Sequence, residues 1–247
     1  MYHLLHLYRR LGPFDIKNIR RDALLAWMPL LPFIMALALR LLLPTIADQL
    51  HTRLGFELEP YYPLLMSSFI TLAPGVVGMV IGFLLLDERD EHTLAALQVT
   101  PLPLFSYLLY RISLPILLGL ISTLLSYALV GLTPLSWDML TLATFAGSVI
   151  APQSALFLAT FAENKVTGLA VMKLLNTVTL LPIFSYFLPM PWQLLCGLIP
   201  SYWPLKLFWS IAEGSSYWPI FLIVSMGYNA AVILLLLMCF SRTIQRF

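Results

Sequence analysis

Residues 62–101 read YPLLMSSFITLAPGVVGMVIGFLLLDERDEHTLAALQVTP. Through residue 86 the stretch carries no charged side chain, and at about 1.5 Å of rise per helical residue it is long enough to cross a hydrocarbon core of about 30 Å. It then stops abruptly. Four of the chain's 12 acids, Asp87, Glu88, Asp90 and Glu91, fall within five residues, and a short run of helix formers follows before Pro101 and Pro103. A second apolar stretch begins directly afterwards. The pattern is that of two membrane spans joined by a compact charged turn outside the bilayer.

The rest of the chain extends the same reading. Its 247 residues are 60% hydrophobic and only 11% charged, with a mean hydropathy of +0.88, outside the range of water-soluble domains. The net charge of +2 is scattered, with no Lys/Arg run of the kind that binds phosphate backbones, which argues against a nucleic-acid partner. Cys196 and Cys239 lie in different apolar stretches without metal-ligand spacing and read as packing residues. The first apolar stretch, about 20 residues long, exceeds the core of a signal peptide and reads as an uncleaved anchor.

Six stretches satisfy the length needed to span: 24–43, 62–86, 105–130, 138–161, 166–188 and 216–240. The expected fold is therefore all-α and integral to the membrane, a single domain with both termini on one side. Basic residues choose that side. With the termini inside, the inner ends hold Arg9, Arg10, Lys17, Arg20, Arg21, Arg89, Arg111, Lys165, Lys173, Arg242 and Arg246, against Arg40, Arg53 and Lys206 outside. The 87–104 segment then faces the cytoplasm.

Two further elements are expected. Residues 1–23 read as an N-terminal elbow, bent at Gly12-Pro13, with Ile16, Ile19 and Ala23 on an apolar face and Lys17, Arg20 and Arg21 off it, suited to lying beside anionic lipid. A simple basic flank to the first span fits the same residues. Residues 189–215 hold two apolar pieces too short to span, broken by Pro189, Pro191, Pro200 and Pro204. They read as an outer re-entrant hairpin, with a loop on the headgroups as the alternative. Trp192, Tyr202, Trp203, Trp209, Tyr217 and Trp218 suit an interfacial belt.

Motifs for catalysis are missing: there is no phosphate loop, HExxH, GxSxG or dinucleotide fingerprint. Asp87, Glu88 and His92 could be imagined as a metal or intramembrane-protease site, but no second His/Glu cluster in the spans completes one. The 87–101 segment has a helical logic instead. Acids precede and open the helix, Thr93 to Val99 continue it, and Pro101 ends it. Leu94 and Leu97 form a small apolar knob suited to a groove on another protein.

These residues resemble the E-x-G-T-L-x-x-L-x-V-T-P segment of type-2 ATP-binding-cassette exporter permeases, with His92 where that family usually has glycine. The six spans, elbow and Pro-rich hairpin are similar too, and the small size looks most like the fluoroquinolone-type efflux permeases. The resemblance implies that residues 88–100 form a coupling helix seated on a separate ATPase subunit, with Glu88, Glu91, Thr93, Leu94, Leu97, Thr100 and Pro101 at the contact. It implies that ATP and Mg are held by that partner and no cofactor by this chain. It also implies a second permease, the same or related, in a prokaryotic inner membrane, and efflux of an amphipathic drug or lipid-like molecule. An intramembrane enzyme using the Asp87 to His92 cluster and a non-transporting assembly scaffold are the alternatives.

Inside the spans, Gly78 and Gly82 form a GxxxG pair and Ala143, Gly147 and Ala151 repeat every four residues, a spacing for close helix contact within one subunit or between two. Lys173, Asn176 and Thr177 share a face of the fifth span, and Asn229 lies in the sixth. Polar groups at depth mark a translocation path; Lys173 could equally snorkel to the interface.

Overall fold

The structure, a computed structural model, describes residues 2–90 and 104–244. The described residues are helical and contain no strand. Helix α1 (Tyr2–Arg21) precedes the spans; α2 (Ala23–Trp27) and α3 (Leu31–Leu54), joined by a 3-10 turn at Met28–Leu30, form the first. The second span is α4 (Tyr62–Asp90) and the third α5 (Leu104–Val130). The fourth is divided into α6 (Trp137–Ser148) and α7 (Ile150–Phe161), and the fifth is α8 (Lys165–Leu180) continued by a 3-10 stretch, Leu181–Phe187. Short helices α9 (Met190–Cys196) and α10 (Tyr202–Ala212) follow, and α11 (Trp218–Ile244) is the sixth span. Among the described residues, six helical segments are thus long and apolar enough to cross a membrane.

The bundle is built around α4. The most apolar window of the second span is 89% buried and that of the fourth 83%, whereas the other four spans are buried by a third or less. These four present mostly Leu, Ile and Val outward, as spans bordered by lipid must. One apolar cluster joins Val76 to Leu86 of α4 with Leu156, Leu158 and Ala159 of α7, and a second joins Met66, Phe69 and Ile70 with Leu140, Leu205 and Phe208. Because lipid tails are as apolar as leucine, it is close van der Waals contact that holds such helices together.

Small residues permit that contact. A Cβ on Gly78 would collide with the Ala151 carbonyl, and one on Gly147 would stand 2.5 Å from the Ile70 carbonyl oxygen. The GxxxG pair and the Ala143–Gly147–Ala151 repeat therefore face each other within one subunit. The break between α6 and α7 falls at Val149, three residues before Pro152, whose ring nitrogen cannot donate to the Ser148 carbonyl.

Three features differ from expectation. Gly12-Pro13 does not interrupt the helix: α1 runs through both residues, because a single proline removes one helical hydrogen bond without removing the side-chain anchors on either side. The chain turns at Asp22, which is extended (φ −96, ψ 116) and caps α2 by accepting from the Leu24 and Leu25 amides at 2.8 and 3.3 Å. The first span does not end at residue 43. Helix α3 carries Pro44 and continues to Leu54, where Gly55 (φ 63) supplies the left-handed stop. Lastly, Tyr202 and Trp209 are 1% and 2% exposed and belong to the core, not to an interfacial belt. Trp209 stacks edge-on to Tyr186 at 5.2 Å, since α10 packs against α4, α6 and α11.

The turn between α9 and α10 is fixed at depth. Tyr228 donates to the Leu198 carbonyl at 2.6 Å and Ser201 to the Thr179 carbonyl at 2.7 Å. Tyr228 lies about 15 Å along α11 from its start at Trp218. The paired short helices therefore reach well down the bundle.

Candidate functional site

The last turn of α4, directly before residues 91–103, is held from three directions by three consecutive side chains. Asp87 accepts from Lys165 Nζ at 2.9 Å, and the same ammonium reaches Asp22 at 2.7 Å, so the starts of α2 and α8 are tied to α4. Arg89 turns the other way and donates to the carbonyls of Ala159, Ala162 and Glu163 at 3.0, 2.7 and 2.8 Å, capping the end of α7. Between them, Glu88 is directed inward to Arg111 and Tyr107 of α5.

Arg111 is the centre of this buried cluster. Only 2% exposed, it donates to Asp15 Oδ2 at 2.9 Å and Asp15 Oδ1 at 3.3 Å, to Glu88 Oε1, and through Nε to the Tyr107 hydroxyl at 3.1 Å. Tyr107 in turn donates to Glu88 Oε2, and Tyr110 to Asp15 Oδ2 at 2.7 Å. The guanidinium also lies 5.4 and 5.5 Å from the centres of the Tyr107 and Tyr110 rings. A buried guanidinium is tolerated only when its donors are met, and the forked geometry of arginine suits two carboxylates. One cation here serves two acids from different helices, Asp15 of α1 and Glu88 of α4. Tyr8 and Ser113, 2.6 Å apart, add a further link from α1 to α5.

Helices α4 and α5 are the two that flank residues 91–103, so the cluster joins the two ends of that segment and fastens α1 to both. Outside the spans, the hydrogen bond from Lys165, opposed by partial burial and aided by the Leu25 and Leu24 amides, holds the Asp22 carboxyl below its ordinary range.

Of the residues expected at an ATPase contact, Glu91, Thr93, Leu94, Leu97, Thr100 and Pro101 lie outside the described residues. Glu88 is described and is not presented outward: it belongs to α4, is 8% exposed, and its carboxylate is taken up by Arg111 and Tyr107. Asp87 and Glu88 turn to different partners rather than converging as a metal or proton-transfer pair would; His92 lies outside the described residues.

The four polar residues of the expected translocation path separate into two groups. Lys173 and Thr177 are exposed and Asn176 half-buried, on one face of α8. Asn229 is fully buried and receives a 2.8 Å hydrogen bond from Gln153 of α7, while its own amide donates to the Ser225 carbonyl. The Asp15 and Gln153 roles were not anticipated. Asp15 is the one acid among the five basic residues at 9–21, and Gln153 the one carboxamide of the fourth span, and each is a polar signal of the kind that marks a buried partner.

Comparison with known proteins agrees with this architecture. The family model described as fluoroquinolones export permease protein Rv2686c-like matches residues 15–237. Two fluoroquinolones export permease proteins of Mycobacterium tuberculosis, from strains CDC 1551 and H37Rv, are each 32% identical over 226 residues, covering 90% of this chain and 89% of theirs. No solved structure matches. The matched region includes Asp15, Glu88 and Arg111, the first five spans and most of the sixth, and the chain belongs to the Rv2686c-like family of fluoroquinolones export permeases.

Proposed function

We propose that this chain is the membrane-spanning permease subunit of an ATP-driven exporter of the type-2 ATP-binding-cassette class, and that residues 91–103 receive the motion of a separate ATPase subunit. The observation that carries this reading is the Glu88–Arg111–Asp15 cluster, which braces both helices flanking that segment against α1. A short segment anchored rigidly at both ends passes a displacement to the spans instead of absorbing it. ATP and Mg are bound by the partner, and ATP supplies the differential stability that moves the permease between two arrangements.

The eleven-to-three distribution of basic residues supports a cytoplasmic location for both termini and for the coupling segment, in a prokaryotic inner membrane. The depth of the α9–α10 turn supports a re-entrant hairpin on the outer side. A second permease, this chain again or a relative, completes the assembly. The relatives' names point to fluoroquinolones, and the cargo class proposed here is an amphipathic small molecule. Co-purification with the ATPase tests the reading: changing Leu94 and Leu97 to Asp should abolish the complex while leaving the permease folded, and an unchanged complex overturns the assignment.

A further inference from the structure

A cavity of about 400 Å³ lies between α8 and α11. Both helices pack on α7, which forms its floor. Along the floor Ile150, Gln153 and Ser154 are buried, whereas at the rim Leu174 and Leu235 are 61% and 58% exposed, so the cavity opens sideways between two outward-facing spans. Pro200 and Ser201 line one end, and that end is pinned by the Ser201 and Tyr228 hydrogen bonds that hold the α9–α10 turn at depth.

The lining specifies what can occupy it. No charged side chain among the described residues borders the cavity, and an unpaired charge in such surroundings is costly. The walls are mostly aliphatic, with Phe157 the single aromatic ring among the described residues that line them. Thr179, Ser201 and Cys239 add small polar groups at the side and end, and on the floor Gln153 is oriented by donating its amide to Asn229. The Gln153 carbonyl oxygen accepts no hydrogen bond among the described residues, and the Ser154 hydroxyl makes none there, although both residues are more than nine-tenths buried. Unpaired polar atoms that open onto such a cavity draw a partner from whatever fills it. An acyl chain has none to give. A cavity of this size is within the range, about 300–1,000 Å³, that receives drug-sized molecules.

The face of α8 used here is not that of Lys173, Asn176 and Thr177. At about 100° per residue, Leu174, Leu175, Val178 and Thr179 project from the opposite side of the helix. Asn229 does not line the cavity, but it is the one member of the expected path linked to it, through the hydrogen bond from Gln153.

We propose that the cleft between α8 and α11 is a bilayer-facing binding site for an uncharged, drug-sized apolar molecule carrying a hydrogen-bond donor, which Gln153 receives. The cleft itself stands on geometry; its role as the intake for exported molecules rests on the exporter reading above.

The test uses the full chain in lipid nanodiscs with 1-azidoanthracene as photolabel and 1-aminoanthracene, neutral with a single amino donor, as competitor. Adducts should concentrate on the segments bearing Val178, Leu235 and Cys239, and should saturate. 1-Aminoanthracene should compete about three-fold or more better than anthracene, which lacks the donor. Filling the cleft by Val178→Trp or, separately, Leu235→Trp should lower labelling by about ten-fold, whereas Ile220→Trp, on an exposed part of α11 outside the cleft, should not. Labelling spread evenly over the outward-facing spans, equal competition by anthracene, or labelling undiminished in both filled variants overturns the proposal. Specific labelling in a chain that binds no ATPase would retain the cleft and remove the exporter reading, and a transporting complex without specific labelling would remove the cleft alone.

Discussion

Glu88 and Arg111 face each other across the two ends of residues 91–103, the first in the last turn of α4 and the second in the second turn of α5. Arg111 is also bound by Asp15, 96 residues away in sequence. Three helices therefore meet on a single guanidinium placed where the spans leave the bundle's charged end, and this arrangement gives the account its first test.

Removing the cation alone leaves two buried carboxylates facing each other. Arg111→Met is expected to destabilise the protein by about 3–5 kcal/mol, the cost typical of stranding one side of a buried ion pair. Combining it with Asp15→Asn and Glu88→Gln removes the uncompensated charge and should recover most of that loss. Unfolding by denaturant in a fixed detergent micelle measures both, and equal stability of the single and triple variants would speak against the cluster.

Asp22 has two separable roles. As the cap of α2, its replacement by Ala should cost about 1 kcal/mol, with Asn retaining much of the capping. As a carboxylate held below its ordinary value of 3.8, it contributes stability that is fully present above that value and is lost as the pH falls through the lower value of the folded protein. Asp22→Asn should therefore flatten the acid limb of the stability profile below about pH 4 and leave its shape between pH 5 and 8 unchanged. A wild-type acid limb in this variant would contradict the Lys165 pairing.

Close helix contact predicts opposite outcomes for two glycines. Gly78→Ala places a methyl group against the Ala151 carbonyl, a backbone atom that cannot turn aside, and should destabilise by about 1–3 kcal/mol. Gly227→Ala meets nothing within 4 Å in α11 and should be neutral or slightly stabilising. Thermal unfolding of the two variants side by side distinguishes this packing from a GxxxG stripe used between subunits.

Gln153→Leu leaves the Asn229 side-chain oxygen without its donor inside the bundle, at a cost of about 1–3 kcal/mol. The double change Gln153→Leu with Asn229→Leu removes both polar groups and should cost less than the sum of the single changes. A double-mutant cycle checks this, and strict additivity would show that the pair is not coupled.

The spans were legible because a bilayer demands about 20 apolar residues in a row, and few other structures produce six such runs. The centrality of α4 was partly legible as well: residues 62–86 lack charge on every face, and Gly78 and Gly82 recur at helix-contact spacing. Helix ends were harder. Gly12-Pro13 looks like a stop, yet the side-chain links from Tyr8 and Asp15 on either side hold one continuous helix, and the effective break is the capping Asp22. Pro44 likewise does not end α3, which waits for Gly55. The charged site was misread in one respect for a similar reason. Glu88 sits in a run of acids that reads as exposed, but its direction is decided by Arg111 and Tyr107 beyond the turn, and by Asp15 from the far N-terminal helix. Partners so distant in sequence leave no spacing pattern between them.

In the proposed exporter, the Asp15–Glu88–Arg111 cluster transmits force from the ATPase contact to the spans. The most direct measurement is transport per ATP hydrolysed by the reconstituted complex of permease and ATPase, comparing the wild-type chain with the Asp15→Asn, Glu88→Gln, Arg111→Met triple variant. The account predicts that the variant still folds, binds the ATPase and supports ATP hydrolysis, while transport per ATP falls by about ten-fold. Transport per ATP equal to that of the wild type would contradict it.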